Sequence, residues 1–413
     1  MKLQYQIIIL FFALSTCSGV LGQTTTSSPY SMYGIGDLRQ SGFSQNRAMG
    51  GSGIALSTNS SLNPINPASL SGIDSLFFLL ESGMEGRLST FKDGSQTQHP
   101  GRLNFSYLAF GFRGTKWWGT SMGITPYSTV GNNIITKKTI EGTTDFLTII
   151  QHGEGGFNQF YWANSFRLLK GLSVGINFSY LFGTIKQTEE SSNSRYFSGS
   201  LTQETNTDLR NMMLNYGIQY SVNISKDIKG TIGGIYGNKY NFTLNQQDVL
   251  RDESVDKNLT FPTFWGVGIA LNLYQRLTLT SDYKCSYWSK SNSSSAYSYA
   301  KNTLFTDSKD FSVGLEYSAS PSIYSNLIQR SRIRLGAYYS TPYIMIGGDK
   351  LRDAGITAGL GLPVSPKLRI NLSYQYGQKG TINSGTGVIT EKYQAMTFGI
   401  TFSDIWFFKP KYD

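Results

Sequence analysis

The sequence predicts a transmembrane antiparallel β-barrel of about fourteen strands with an N-terminal hatch plugging its lumen. Three observations predict it. Apolar and small polar residues alternate with period two through most of the chain, aromatic residues gather at the ends of the alternating segments, and short connections alternate with long ones.

The first 22 residues read as an export signal. Lys2 gives a positive start, Ile7 to Leu14 form a short apolar run, and Val20 and Gly22 suit the small-residue positions before cleavage at Gln23. That run is too short to anchor the chain as a membrane helix. Leu14-Ser15-Thr16-Cys17 is a poor lipobox, because Thr precedes the cysteine. After cleavage Cys285 alone remains, which excludes an internal disulfide and a cysteine metal site; its neighbours suggest a side chain facing lipid.

Residues 23–72 lack alternation and are rich in Gly, Ser, Asn and Pro, yet Met49, Ile54, Leu56, Leu62 and Leu70 make them too apolar for a linker. They predict a compact hatch inside the lumen, with Gly50 and Gly51 supplying tight turns and Asn66-Pro67-Ala68 closing the segment.

The barrel is expected over residues 73–408. In Leu172 to Phe182 the apolar series Leu172, Val174, Ile176, Phe178 and Tyr180 faces away from Ser173, Gly175, Asn177 and Ser179. The pattern recurs at 214–222, 311–317, 368–376 and 396–403. Trp117-Trp118, Tyr287-Trp288, Tyr338-Tyr339 and Trp406-Phe407-Phe408 suit interfacial girdles. Short turns are expected near 113–116, 169–171, 225–230, 274–276 and 363–366, and long polar loops at 91–101, 130–155, 187–208, 245–258, 290–308, 340–352 and 377–392. One connection, 319–330, should be short and is not. Residues 409–413 form a periplasmic tail.

Composition agrees. The chain has 45 Gly, 26 Tyr and 25 Phe but only 11 Pro, a mixture that suits a pleated sheet. A mean hydropathy of −0.23 argues against a bundle of membrane helices. The net charge of +10 is scattered, which points to rim contacts with outer-membrane lipid and lipopolysaccharide phosphates and away from nucleic acid.

Pro126 falls near the end of the third strand. Proline cannot donate to a ladder, so it marks either a break in the wall or the point where the strand leaves the membrane. By parity Asp282, Lys284, Arg332, Arg334 and Arg369 point inward, either to receive a ligand carboxylate or to pair with the hatch. The two histidines, His99 and His152, fall in expected loops, and no nucleophile elbow, zinc spacing or phosphate loop occurs. No enzyme activity, cofactor or metal is expected.

Ala48-Met49-Gly50-Gly51, Ala55 and Asn66-Pro67-Ala68, together with Pro126-Tyr127 and 334–376, resemble the FadL/TodX family of outer-membrane hydrophobic-compound transporters. The Ser-Pro-Tyr-Ser opening resembles the branch common in Bacteroidota. The resemblance implies a hatch-plugged barrel in the outer membrane that binds hydrophobic small molecules, such as long-chain fatty acids, in its lumen and releases them sideways through the wall. It equally admits a non-transporting barrel that serves as a structural, partner-binding subunit of an envelope assembly or secretion complex. An apolar pocket at the hatch would favour the first, a packed lumen with large ordered loops the second.

Overall fold

The computed structural model describes residues 28–93, 96–140, 142–193, 200–249, 251–291, 303–320, 326–346, 348–381 and 390–406. The expected signal segment 1–22, the tail 409–413 and Phe407-Phe408 lie outside them.

Fourteen antiparallel strands form the wall. They are β1 (Phe77–Asp93), β2 (Gly101–Arg113), β3 (Trp118–Pro126, resuming as Ser128–Thr139), β4 (Phe146–Leu169) and β5 (Leu172–Ser192). Next come β6 (Ser200–Asn223), β7 (Ile228–Gly237 and Tyr240–Asp248), β8 (Glu253–Phe261 and Phe264–Leu273), β9 (Leu277–Ser286) and β10 (Ser308–Ser318). β11 (Arg332–Thr341), β12 (Arg352–Ser365), β13 (Leu368–Gly380) and β14 (Thr390–Ile405) complete the set. β14 pairs with β1 from Phe77↔Ile405 to Lys92↔Thr390, so the sheet closes on itself. Closure follows from the solvent: hydrocarbon offers a backbone N–H or C=O no partner, and each unpaired group there costs several kcal/mol.

The alternation sorts side chains as expected. Leu80, Met84, Phe110, Phe160, Ile218 and Ile269 are exposed on the outer face, while Glu81, Ala109, Ser179 and Thr397 are buried on the inner one. Aromatic rings stack at one rim, Phe78 on Trp406 at 4.3 Å and Trp117 on Phe166 at 6.1 Å between centroids.

The expected long loops are shorter than the sequence suggested. Residues 130–155, 187–208 and 245–258 are largely paired strand, so that β4, β5 and β6 run 24, 21 and 24 residues. A bilayer needs only about 9–11. Beyond the apolar core water reaches both faces, so the outer parts of these extensions carry no period-two pattern to betray them. Backbone ladders hold them, helped by pairs such as Lys186 Nζ with Glu204 Oε2 at 2.9 Å. The long 319–330 connection holds a short helix, Leu327–Arg330.

Residues 28–76 lie inside this wall, with a buried helical turn at Ser44–Arg47 and a 3-10 helix at Pro67–Gly72. They join two apolar cores. Phe43, Leu62, Leu70 and Ile73 pack with Leu79, Tyr107 and Tyr161 of the wall. Tyr30 and Ile35 pack with Phe157, Leu181, Ile185, Leu209, Phe242, Trp288 and Tyr343, the inner faces of the strand extensions and loops.

Candidate functional site: the filled lumen and the break in its wall

Inward-facing glycines set the fit of the inner segment. A methyl group on Gly175 of β5 would collide with the backbone of Pro67 and Ala68, on Gly217 of β6 with Asn66, and on Gly233 of β7 with the backbone of Ile54. On Gly336 of β11 it would meet the backbone of Met49 and Gly50, and on Gly359 of β12 the side chain of Ala48. These strands leave out a side chain where the inner segment touches the wall.

Polar groups then tie the segment down. Asp282 Oδ2 accepts from Gly53 N (2.6 Å) and Ile54 N (2.8 Å), and Glu81 Oε1 accepts from Leu62 N at 2.6 Å. Thr357 Oγ1 accepts from Gly50 N at 2.9 Å, and Ser165 Oγ donates to Ala68 O at 2.9 Å. Buried Glu85 pairs with both Arg39 (2.9 Å) and Arg47, and Lys379 pairs with Asp37. Removing one partner of such a buried pair is costly because it strands the other charge.

The residues singled out in the sequence have the following partners. Gly50 and Gly51 adopt φ of +69° and +85°, a region a side chain strains to reach. Asn66 caps the 3-10 helix, its side chain accepting from Ala68 N at 3.0 Å, with Pro67 in the first turn and Ala68 fully buried. Arg332 and Arg334 both pair with Glu316, at 3.4 and 2.6 Å, and Arg334 also donates to Asn371. Arg369 donates to Ser60 Oγ at 3.0 Å. Lys284 lines the lumen cavity, its Nζ standing 5.0 Å from the Phe264 ring centre. Cys285 does not face lipid openly. It is 5% exposed, opposite Trp265 in an aromatic group with Tyr283 and Tyr287.

Sequence reading passed over Arg39, Arg47, Glu81, Glu85, Arg87 and Arg102. A signal was present: Glu81, Gly83, Glu85 and Arg87 form one period-two series, which a membrane strand can carry only on its inner face.

The wall itself is interrupted at Pro126. The first half of β3 pairs with β2 from Leu108↔Ile124 to Arg113↔Gly119. The second half pairs with β4 but not with β2, so among the described residues Arg102–Tyr107 of β2 has β1 alone as a ladder neighbour. At the same height Ser106 is bulged out of the β1–β2 register. The inner segment takes the edge that β3 leaves free: Asp37 and Leu38 pair with Thr129 and Ser128, and Arg39 N donates to Tyr127 O at 2.9 Å. A lumen cavity of about 410 Å³ lies behind this break, lined by Arg39, Arg102, Ser106, Pro126, Tyr161 and Lys284 among others.

Comparison with known proteins places this architecture. A family model described as BamG matches residues 4–413. The chain belongs to the BamG family. No curated protein matches it. Among solved structures, a FadL homologue of Pseudomonas aeruginosa aligns over 91% of this BamG-family chain and all of its own, at 10% identity and a TM-score of 0.59. The Ralstonia pickettii toluene transporter TbuX aligns over 88% of this chain and 99% of its own, with 13% identity and a TM-score of 0.56. The Pseudomonas putida toluene transporter TodX aligns over 91% and 100%, with 15% identity and a TM-score of 0.56. At such identity the likeness is one of fold: a FadL-like outer-membrane barrel.

Proposed function

We propose that this BamG-family barrel is a sealed, non-enzymatic subunit of an outer-membrane complex that serves assembly or secretion by binding protein partners. The observation that carries the reading is the close contact between the inner segment and the inward glycines, which fits plug to wall at Gly175, Gly217, Gly233, Gly336 and Gly359. An apolar core at the outer end packs the start of the inner segment against the strand extensions as well. The extended β3–β6 hairpins supply a rigid platform, and Ile135 and Phe146 near one tip stay exposed on it. Basic residues at the rims meet lipid head groups and lipopolysaccharide. Native purification of the full chain in mild detergent tests this. Stoichiometric protein partners support it, and a lone barrel carrying a lipid-like ligand contradicts it.

A second reading, uptake of hydrophobic small molecules such as long-chain fatty acids with lateral release, draws on the break at Pro126 and on fold relatives described as toluene transporters. It requires Pro126 and the hatch residues Gly50, Gly51 and Asn66-Pro67-Ala68 to move during transport. Uptake of a labelled fatty acid that depends on this chain would favour it.

A further inference from the structure

We infer that the short-turn mouth of the barrel, at Arg332, Arg334 and Arg369, docks an acidic segment of a periplasmic partner protein. This rests on the partner-binding reading and gives the partner its side of the membrane and its chemistry. The chain's positive charge, scattered along the sequence, gathers at one end of the fold. Residues 74–76, 113–118, 167–171, 224–229, 274–276, 316–320, 326–334, 365–369 and 403–406 make up the short-turn end. They carry twelve Lys and Arg against four Asp and Glu, which leaves 24 against 22 for the rest of the chain's 36 and 26. Short turns face the periplasm in a bacterial barrel, so the excess lies on that side.

Three of these arginines converge. Arg332 Nη1 and Arg334 Nε both reach the Glu316 carboxylate, at 3.4 and 2.6 Å. Arg332 Nη2 and Arg369 Nη1 both donate to Ser60 Oγ of the inner segment, at 3.4 and 3.0 Å. Glu81, also within electrostatic reach, is taken by Leu62 N at 2.6 Å. Three guanidiniums therefore share two carboxylates. Arg334 Nη2 and Arg369 Nε have no hydrogen-bond partner among the described residues, and Arg334 is only 1% exposed. Buried cations short of acceptors are costly, and a carboxylate brought to the cluster offsets the excess.

The direction of these side chains favours a protein over lipid. Lys170 and Lys226 at the turn tips are exposed and suit inner-leaflet head groups. Arg332 and Arg334 stand instead on the inner face of β11, in series with Gly336, which abuts the inner segment. The wall separates them from lipid, yet Arg332 keeps 21% of its side chain open. Arg113 and Arg167 also turn inward, donating to the backbone oxygens of Ile73 and Ser71, partners that leave their charge uncancelled. An acidic polypeptide laid across the mouth meets several of these cations at once, and the arginine forks suit its carboxylates.

Fluorescence anisotropy with the full chain in dodecyl maltoside micelles tests the site. The probe is a short fluorescein-labelled peptide of alternating Glu and Ala, with a Gln-for-Glu peptide as its neutral counterpart. The acidic peptide should bind saturably and the neutral one should not. Arg332→Gln with Arg369→Gln should weaken binding roughly ten-fold or more. Lys137→Gln with Lys138→Gln, an equal charge change on the exposed opposite end, should leave it unchanged. Arg369→Gln alone strands no acid, and it carries the test should the double variant lose the heat-modifiable gel migration of a folded barrel. Equal affinity of wild type and Arg369→Gln, or an equal loss in the Lys137, Lys138 variant, would overturn the proposal. Displacement of the peptide by inorganic phosphate or phosphatidylglycerol at matched ionic strength would assign the cluster to a free anion or to lipid, and overturn it too. Native purification separates this site from the reading beneath it. Partners recovered at wild-type yield by a chain that no longer binds the peptide would overturn the docking site alone, whereas no partner for the wild type would overturn both.

Discussion

Two regions of one sheet treat the inner segment in opposite ways. Around Gly175, Gly217, Gly233, Gly336 and Gly359 the wall gives up its side chains so that the segment can touch it. At the β2–β3 seam the wall gives up its own ladder, and the segment supplies Asp37 and Leu38 as a substitute strand while a cavity and an orphaned arginine remain. The difference separates two roles for one insert. In the first region it is packing, fixed by shape, and in the second it is a bonded patch over a gap in the ladder.

Substitutions should separate the regions by size of effect. The largest is expected for Glu85→Ala, which strands Arg39 and Arg47 inside the lumen and should lower stability by about 3–5 kcal/mol in denaturant unfolding. A loss below 1 kcal/mol would mean that water already reaches this pair. Next comes Gly336→Val, whose methyls meet the backbone of Met49 and Gly50. Overpacking there should cost about 1–3 kcal/mol and expose residues 40–70 to protease, whereas unchanged proteolysis would show that the segment has room to shift. Asp282→Ala leaves the Gly53 and Ile54 amides without their acceptor and should cost about 1–3 kcal/mol. The smallest effect belongs outside the bilayer. The hydrogen bond from Lys186 holds the half-buried Glu204 carboxyl below its usual range, so its contribution is present near neutrality and fades as pH falls through that lowered value. Acidification should lower the exchange protection factors of amides in the outer β5–β6 hairpin, after correction for the intrinsic pH dependence, and leave those of the membrane ladders unchanged.

Much of the wall was legible in the sequence, because a strand with lipid on one side and the lumen on the other must alternate at every step. Leu172 to Phe182 reads directly as β5 for that reason. The same segment ends as a strand only at Ser192, past the point where lipid stops enforcing the pattern, and so 187–208 looked like loop. The glycines were visible too, as small members of the inner series, but the meaning of Gly175 or Gly336 depends on a backbone lying over a hundred residues away in the chain. Pairs such as Arg47 with Glu85, or Arg87 with Glu391, join positions that no local period connects. Parity reads Arg332 and Arg334 as inward-facing, but parity could not show that Glu316 pairs with them both.

The immobility of the inner segment is open to one direct measurement. Ser52 Oγ and Thr280 Oγ1 lie 2.6 Å apart across the segment–wall contact, so a Ser52→Cys, Thr280→Cys pair in a Cys285→Ser chain should oxidise to a disulfide. A fixed plug predicts that the locked chain still recovers its protein partners from native membranes at wild-type yield. Failure of the bond to form, or loss of those partners once it has formed, would show that the segment must move and would contradict the account.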